Sequence, residues 1–511
     1  MIVEVVLSLL VLLFFVYWKQ TRKWQKFKQR GIPYAEPVWP FGSKHSWKLL
    51  FDSKNTVSNQ YRAYLGTELG KEKIFGVYGH PDKDDSAALM INDLDLAKRM
   101  LIKDFEHFVD RSDFGLKLDP NIEADMLFGH SFIMLKGDEW KKNRNLMTPV
   151  FTTGKLKLMY KLLDKIGLHL QHYIQLCSEQ KKEINSKTTF AKFALDGIAS
   201  AGFGIENDSF TDPDNTFTVQ VNRMMRQPGT KEGSGWELFK LVTAGFIPVL
   251  KYFINIENIP HKPSLFLKSV LLKTIKQREG SKVKRNDIID LVLEQLDNKQ
   301  DKVSADEGFE DEFERDADYD MSKIKDAGFD KEKTIVSNAF LLFVAALDTT
   351  SSTLTFAVHY LIKYPEIQEK LREEILDVIG SSEKVSFEHI QEMKYLDNVI
   401  YETLRSAHPF AQILERECTK DYLVPGTNYV VRKGEIVNFS LLYERMKTEK
   451  FSNATEFDPD NFDPANKPDS FSFLGFGQGS YHIIDSHCLP NFTYLYKDTL
   501  NSTFAKVKDK S

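Results

Sequence analysis

Residues 334 to 363 read TIVSNAFLLFVAALDTTSSTLTFAVHYLIK. The stretch holds no proline or glycine and is apolar on most of its circumference, so it reads as one helix. Thirty residues at 1.5 Å each span roughly 45 Å, enough to run through a whole domain. Tyr364-Pro365 ends it, because the residue before a proline is pushed out of the α region. The middle of the stretch is unusual. Ala345 and Ala346 are small, so a flat object can approach the helix closely. Asp348, Thr349, Thr350, Ser351 and Ser352 follow as a polar run inside an otherwise buried pattern. Thr and Ser hydroxyls compete for backbone carbonyls and can locally open a helix. A buried Asp needs a partner or a chemical task; the plainer alternative is a polar seam facing solvent.

Working outward, residues 135 to 300 are mostly helical, with apolar residues three and four apart. Helices are expected at about 365–379 and 395–407. Pro409 then leads into short strands through ERECTKDYLVPGTNYVVRKGEIV, residues 415–437. Upstream, KIFGVYG (73–79) and AALMIND (87–93) read as strands. LDLAKRMLIKDFEHF (94–108) reads as a helix capped by Asp93. Residues 301–320 are acidic and poor in large apolar side chains, a solvated loop. No internal repeat and no linker interrupts 44–479. The fold class is mainly α with a minor β-sheet, in one large domain over 44–479.

Composition narrows the function. With 511 residues, 42 % hydrophobic, 28 % charged and net charge −5, the chain is ordinary globular material and no nucleic-acid binder. Three cysteines, Cys177, Cys418 and Cys488, argue against a disulfide framework and fit a reducing compartment. Any cysteine-ligated cofactor must use one of them. The N-terminus is different: MIVEVVLSLLVLLFFVYW, residues 1–18, is long enough at roughly 27 Å to cross a thin bilayer. Lys19, Arg22, Lys23, Lys26, Lys28 and Arg30 follow at once, so the positive-inside rule keeps the rest in the cytosol. A cleaved signal would carry its charge first and small residues after, and neither is present. Residues 1–18 are thus expected to be an uncleaved transmembrane anchor. Residues 19–43, basic and then proline-rich through GIPYAEPVWPFGS, are a stiff linker.

Two further motifs gain meaning only together. In YETLR, Glu402 and Arg405 stand at i and i+3, able to pair on one helix face. In GDEWKKNRNLMTPVF, Trp140 and Arg144 at i and i+4 share a face, where the guanidinium can present its fork to a carboxylate or phosphate. Alone, each is most often surface packing. In sequence order, W-x-x-x-R, A-A-x-D-T-T, E-x-x-R and then F-G-x-G, the set resembles the cytochrome P450 family. LFGHSFIMLKGDEWKKNRNLMTPVFT (127–152) and KDFEHFVDR (103–111) resemble its insect microsomal branch. The resemblance runs from the anchor to Gly479.

The resemblance implies a cytochrome P450 fold and a membrane-bound haem-thiolate monooxygenase. Such an enzyme oxidises lipophilic small molecules, xenobiotics or endogenous lipids, with O2. It implies haem b as cofactor and NADPH-cytochrome P450 reductase as electron donor. The place would be the endoplasmic reticulum membrane, with the catalytic domain facing the cytosol. Asp348 and Thr349 match the acid-alcohol pair that delivers protons, beside Ala345 and Ala346, the latter in place of a usual glycine. O–O cleavage needs protons where bulk water is limited, which suits that pair. Trp140, Arg144 and Arg416 match positions that hold the haem propionates. Glu402 and Arg405 match a buried structural pair, whose usual third partner, an arginine, is here Asn461. Residues 233–253 match a segment lining or covering the pocket.

The resemblance stops inside SFLGFGQGSYHIIDSHCLPNF, residues 472–492. The family pattern F-x-x-G-x-R-x-C-x-G puts the axial cysteine at residue 483, and residue 483 is Ile483. Tyr481 stands for the arginine and Asp485 for the last glycine. Cys488 comes five residues late, within a reach of roughly 16 Å of extended chain. The loop before a thiolate must also aim backbone N–H groups at the sulfur, and no glycine occurs from Ser480 onward. His482 and His487 are ligands on paper, but a histidine lacks the thiolate's electron push. The expectation is therefore no metal ligand at Ile483, with Cys488 a poor substitute. Residues 480–511 form a divergent tail in place of the haem-flanking helix and closing hairpin, leaving the fold incomplete at its C-terminal end. The alternative function is a truncated, catalytically inactive chain that cannot bind haem. The break has the form that a reading-frame change or a retained intron produces.

Overall fold

The computed structural model describes residues 2–39, 42–43, 64, 66–78, 87–113, 116, 118–225, 259–279, 284–285, 287–297, 330–382, 384–409, 414–439, 450–451, 453–466, 471 and 473. These fall into two compact units, and the chain passes from the first into the second and back again. The sequence-expected pocket segment 233–253, the acidic stretch 301–320 and the whole of 474–511 lie outside the described residues.

The first unit draws on residues 1–117, 410–455 and 468–481. It opens with α1 (Ile2–Lys23) and the single turn α2 (Lys26–Gln29). A two-residue hairpin, β1 (Pro37–Val38) and β2 (Gly42–Ser43), precedes β3 (Ile74–Tyr78), β4 (Ala87–Ile91) and α3 (Leu94–Lys98). The chain returns as β5 (Glu415–Glu417), β6 (Tyr422–Leu423), β7 (Val430–Val431) and β8 (Ile436–Asn438). The main sheet has the order β3-β4-β8-β5. β3 and β4 are antiparallel, β8 runs parallel to β4 with Leu89 opposite Val437, and β5 is antiparallel to β8 with Arg416 opposite Val437. β4 is buried on both faces, which is why it reads as an unbroken apolar run.

Asp93 caps α3 as the sequence suggests, its Oδ1 accepting the Leu96 N–H at 2.7 Å. The helix expected over 94–108 is shorter: α3 gives way to a π turn at Arg99–Lys103 and a 3-10 turn at Phe105–His107. Residues 24–35 are packed against the sheet and do not run as a bare spacer. Trp24, Phe27, Ile32 and Ala35 are buried. The Phe27 ring lies 5.0 Å from that of Tyr78, and a Cβ on Gly76 would fall 2.2 Å from Phe27 Cδ2. Glycine at 76 is what lets the ring lie flat on β3.

The second unit draws on 118–409 and 456–467. Its helices are α4 (Glu123–Gly129), α5 (Gly137–Met147), α6 (Thr153–Glu179), α7 (Ser186–Gly197), α8 (Thr216–Met224), α9 (His261–Glu279), α10 (Ile288–Asp297), α11 (Lys331–Lys363), α12 (Pro365–Ile379), α13 (Phe387–Glu392) and α14 (Lys394–Ser406). α11 is the long helix of the opening stretch. It starts three residues before Thr334, because Asp330 caps it by accepting the Lys333 N–H at 2.9 Å. α11 is long and apolar enough to cross a membrane by length and composition, yet it is the core of this unit, packed on α4, α7, α9 and α14. Phe343 meets Phe203 at 5.5 Å and Phe217 at 5.7 Å. Buried Asn338 stitches α11 outward: its Oδ1 accepts the Phe132 N–H and its Nδ2 donates to Asn143 Oδ1.

Candidate active site

The polar run sits in the middle of α11 and makes a ladder of backward hydrogen bonds. Thr349 Oγ1 donates to the Ala345 carbonyl at 2.7 Å, Thr353 Oγ1 to the Thr349 carbonyl at 2.9 Å and Thr355 Oγ1 to the Ser351 carbonyl at 2.7 Å. Such bonds loosen the helix's own ladder. Ala345 is exposed and Ala346 and Thr349 half-buried, although the helix is core on both sides of them. The small residues and the Thr349 hydroxyl therefore border open space.

Asp348 has a partner that sequence reading missed. The Lys187 ammonium, at the start of α7, donates to Asp348 Oδ1 at 2.6 Å, Ser352 Oγ at 2.6 Å and Ser351 Oγ at 2.9 Å. Nothing in the sequence marks a lysine 161 residues away as the partner of this run. The Asp348 carboxylate is half-exposed and engaged by the ammonium, while the Thr349 hydroxyl points to a carbonyl. Acid and alcohol are adjacent on the chain but bonded to different partners.

Glu402 and Arg405 form a buried bidentate pair on α14, with 0 % and 3 % of each side chain exposed. Arg405 Nε reaches Glu402 Oε2 and Nη2 reaches Oε1, both at 2.6 Å. The Asp458 N–H donates to Oε1 at 2.8 Å, and Arg405 Nη2 also donates to the Glu456 carbonyl at 2.9 Å. Burial pushes the Glu402 carboxyl up; the Arg405 fork and the Asp458 N–H pull it part of the way back. Asn461 is buried in the same 3-10 turn, Pro459–Phe462. The pair thus fastens α14 to the chain at 456–462, aided by Tyr401 against Phe462 at 5.4 Å.

On α5 the Arg144 guanidinium lies 5.7 Å from the centre of the buried Trp140 ring. Arg416, in β5 of the other unit, is 1 % exposed, and its Nη1 donates to the Glu415 carbonyl at 2.7 Å. Trp140 and Arg144 face one another as their spacing suggests.

These constellations stand on the described helices and strand in the order the motifs set out. The family model for Cytochrome P450 matches residues 71–481. The chain belongs to the cytochrome P450 family. It is 30 % identical over 484 residues to the probable cytochrome P450 6d4 of Drosophila melanogaster, covering 93 % of this chain and 88 % of that one. It is 29 % identical over 480 residues to cytochrome P450 6A1 of Musca domestica, covering 92 % and 85 %. It is also 29 % identical over 475 residues to cytochrome P450 3A11 of Mus musculus, covering 92 % and 84 %.

Family membership implies haem, and the donor set decides whether this P450 can hold it. Buried arginines such as Arg416 suit propionates. The iron side is different. Ile483, Cys488, His482 and His487 lie outside the described residues, and isoleucine at 483 offers no donor atom. Among the described residues, Cys177 is buried within α6. Burial pushes the Cys418 thiol up to about 12, and its Sγ–H donates to the Lys420 carbonyl at 2.8 Å. That sulfur is a protonated, structural thiol. Among the described residues, neither Cys177 nor Cys418 offers iron a thiolate.

Proposed function

We propose that this cytochrome P450 has the build of a membrane-anchored monooxygenase: one that inserts an oxygen atom of O2 into a lipophilic small molecule, xenobiotic or endogenous. Its electrons come from NADPH-cytochrome P450 reductase, at the endoplasmic reticulum membrane with both units in the cytosol. The observation that carries this reading is the open polar stripe of α11, where Thr349 and Ala345 border free space within a core helix and Asp348 stands beside them. A carboxylate and a hydroxyl there can pass protons to a molecule bound beside the helix. α1 supports the membrane part: Leu7, Leu10, Val11, Phe14 and Phe15 are exposed, and Lys19 and Arg22 follow them.

A second reading rests on Ile483. The chain as written has no thiolate for iron, so it is catalytically silent and at most binds hydrophobic ligands. The two readings describe one scaffold: the first its build, the second its state with this tail. Replacing everything after Gly479 with the ligand loop and closing segment of a family relative tests them together. With reductase, NADPH and a panel of lipophilic compounds, the chimaera is expected to form oxygenated products and the chain as written to form none. Product from the chain as written would overturn the second reading; a chimaera that binds haem yet oxidises nothing would overturn the first.

A further inference from the structure

α9 has two faces. Ser264, Leu267, Leu271 and Ile275 are buried. On the opposite side Lys262, Leu265, Ser269, Lys273 and Lys276 are exposed and Leu272 is half-buried. With 3.6 residues per turn these six fall within a stripe about 120° wide, and the stripe runs roughly 21 Å along the helix. The other basic groups of α9 are paired: Lys268 with Glu123, and Arg278 with Asp287 at 3.0 Å and Asp290 at 3.6 Å. Lys262, Lys273 and Lys276 have no ion-pair partner among the described residues. A groove of about 500 Å³ lies along this face, lined by Ser269, Leu272, Lys273, Lys276 and Gln277.

The matching charge is in the same chain. Residues 298–329 join α10 to α11, and within them 301–320 holds ten acidic residues against Lys302 and Arg315. Phe309 and Phe313 stand four apart inside the acidic run. Composition alone reads there as a solvated loop; α9 supplies a surface of opposite sign, with leucines set between its lysines. Both flanking helices, α10 and α11, pack on α9. The 32 residues from 298 to 329 reach roughly 100 Å when extended, whereas the 19 residues of α9 span about 28 Å, so the whole face is within reach. Each exposed ion pair is weak by itself. Tethering offsets this: at an effective concentration on the order of 1 mM, a contact with a dissociation constant of about 0.5 mM is made about two-thirds of the time.

We infer that the acidic run 306–318 docks on this face of α9 within one chain, its carboxylates on Lys262, Lys273 and Lys276 and its two phenylalanines against Leu265 and Leu272. The test uses the full chain in neutral detergent, beside a variant with every Asp and Glu from 306 to 318 changed to Asn or Gln. A water-soluble acetylating reagent labels lysines, and peptide mass spectrometry reads the rate at each. At low salt Lys262, Lys273 and Lys276 are expected to react about threefold slower in the parent than in the variant. The difference is expected to vanish at about 1 M salt, where the Debye length falls to about 3 Å. Lys161 and Lys165, exposed on α6, are expected to react alike in both chains. Equal rates at the α9 lysines in parent and variant at low salt overturn the inference. Slow reaction in both chains means another surface covers the face, which also overturns it. Protection that grows with protein concentration gives the acidic run to a second copy, and protection that appears only with anionic vesicles gives the face to lipid; either result refutes docking within one chain.

Discussion

Arg405→Met should be among the most damaging single changes in the helical unit. It removes the Nε and Nη2 donors to Glu402, both at 2.6 Å, and the Nη2 donor to the Glu456 carbonyl. Glu402 is left with the Asp458 N–H on Oε1 and with no exposure to water. An exposed i, i+3 pair would lose at most about 1 kcal/mol. A buried carboxylate stripped of its counter-ion costs about 3–5 kcal/mol. Urea unfolding at neutral pH, followed by far-ultraviolet circular dichroism, measures the loss against the parent. The pH dependence has a definite sign. Burial holds Glu402 above its unfolded value, and without Arg405 it rises further. A group raised in the folded state contributes stability that is present below its unfolded pKa and lost as pH rises through its folded pKa. The Arg405→Met deficit is therefore largest near neutrality and shrinks toward the ordinary carboxylate range. Adding Glu402→Leu should restore part of the loss, because the stranded charge is gone. A deficit under about 1 kcal/mol, or a double variant whose cost equals the sum of the singles, would refute the reasoning.

Further outcomes follow from other parts of the molecule. Gly204 has φ +62°, and a Cβ there would fall 2.1 Å from Arg278 Nη2 and 2.5 Å from Asp287 Oδ2, inside a buried ion pair. Gly204→Ala should cost about 2–5 kcal/mol in the same unfolding assay. Asp196 and Asp287 are buried acids pushed up to about 6. Their stabilising contribution is complete below the usual carboxylate range and falls as pH rises through about 6, by at most about 3 kcal/mol each. Asp287→Asn should flatten that slope when unfolding is measured between acid and neutral pH. Lys187→Met breaks contacts whose side chains are about half-exposed, so its stability cost should stay under about 1 kcal/mol despite the number of partners. Cys177 and Cys418 should resist thiol reagents until the chain unfolds, as a peptide map of the modified sites would reveal.

What was legible in the sequence is what local pattern controls. The α11 helix, its stop at Tyr364-Pro365, the Asp93 cap and the strands at 73–79 and 87–93 each follow from period, capping or proline chemistry. Trp140 with Arg144 and Glu402 with Arg405 were legible as pairs because three- and four-residue spacing shares a helix face. Burial of the second pair was not, since it depends on residues 456–462 folding back over α14. Lys187 was invisible for the same reason, because a partner 161 residues away leaves no local trace. The basic, proline-rich segment 19–43 reads as a spacer by composition. Its buried Trp24, Phe27 and Ile32 depend on Gly76, far along the chain, leaving room for a ring. Sequence alone, conversely, exposes Ile483, since the donor chemistry of a single residue needs no fold.

On the second reading proposed above, a scaffold built for haem iron has no thiolate placed to bind it. The most direct measurement is the reduced, carbon monoxide-bound absorption spectrum of the chain as written, expressed with haem supplied. The expected spectrum has no thiolate-type Soret band. A thiolate-type band would contradict the claim and place Cys488 on the iron.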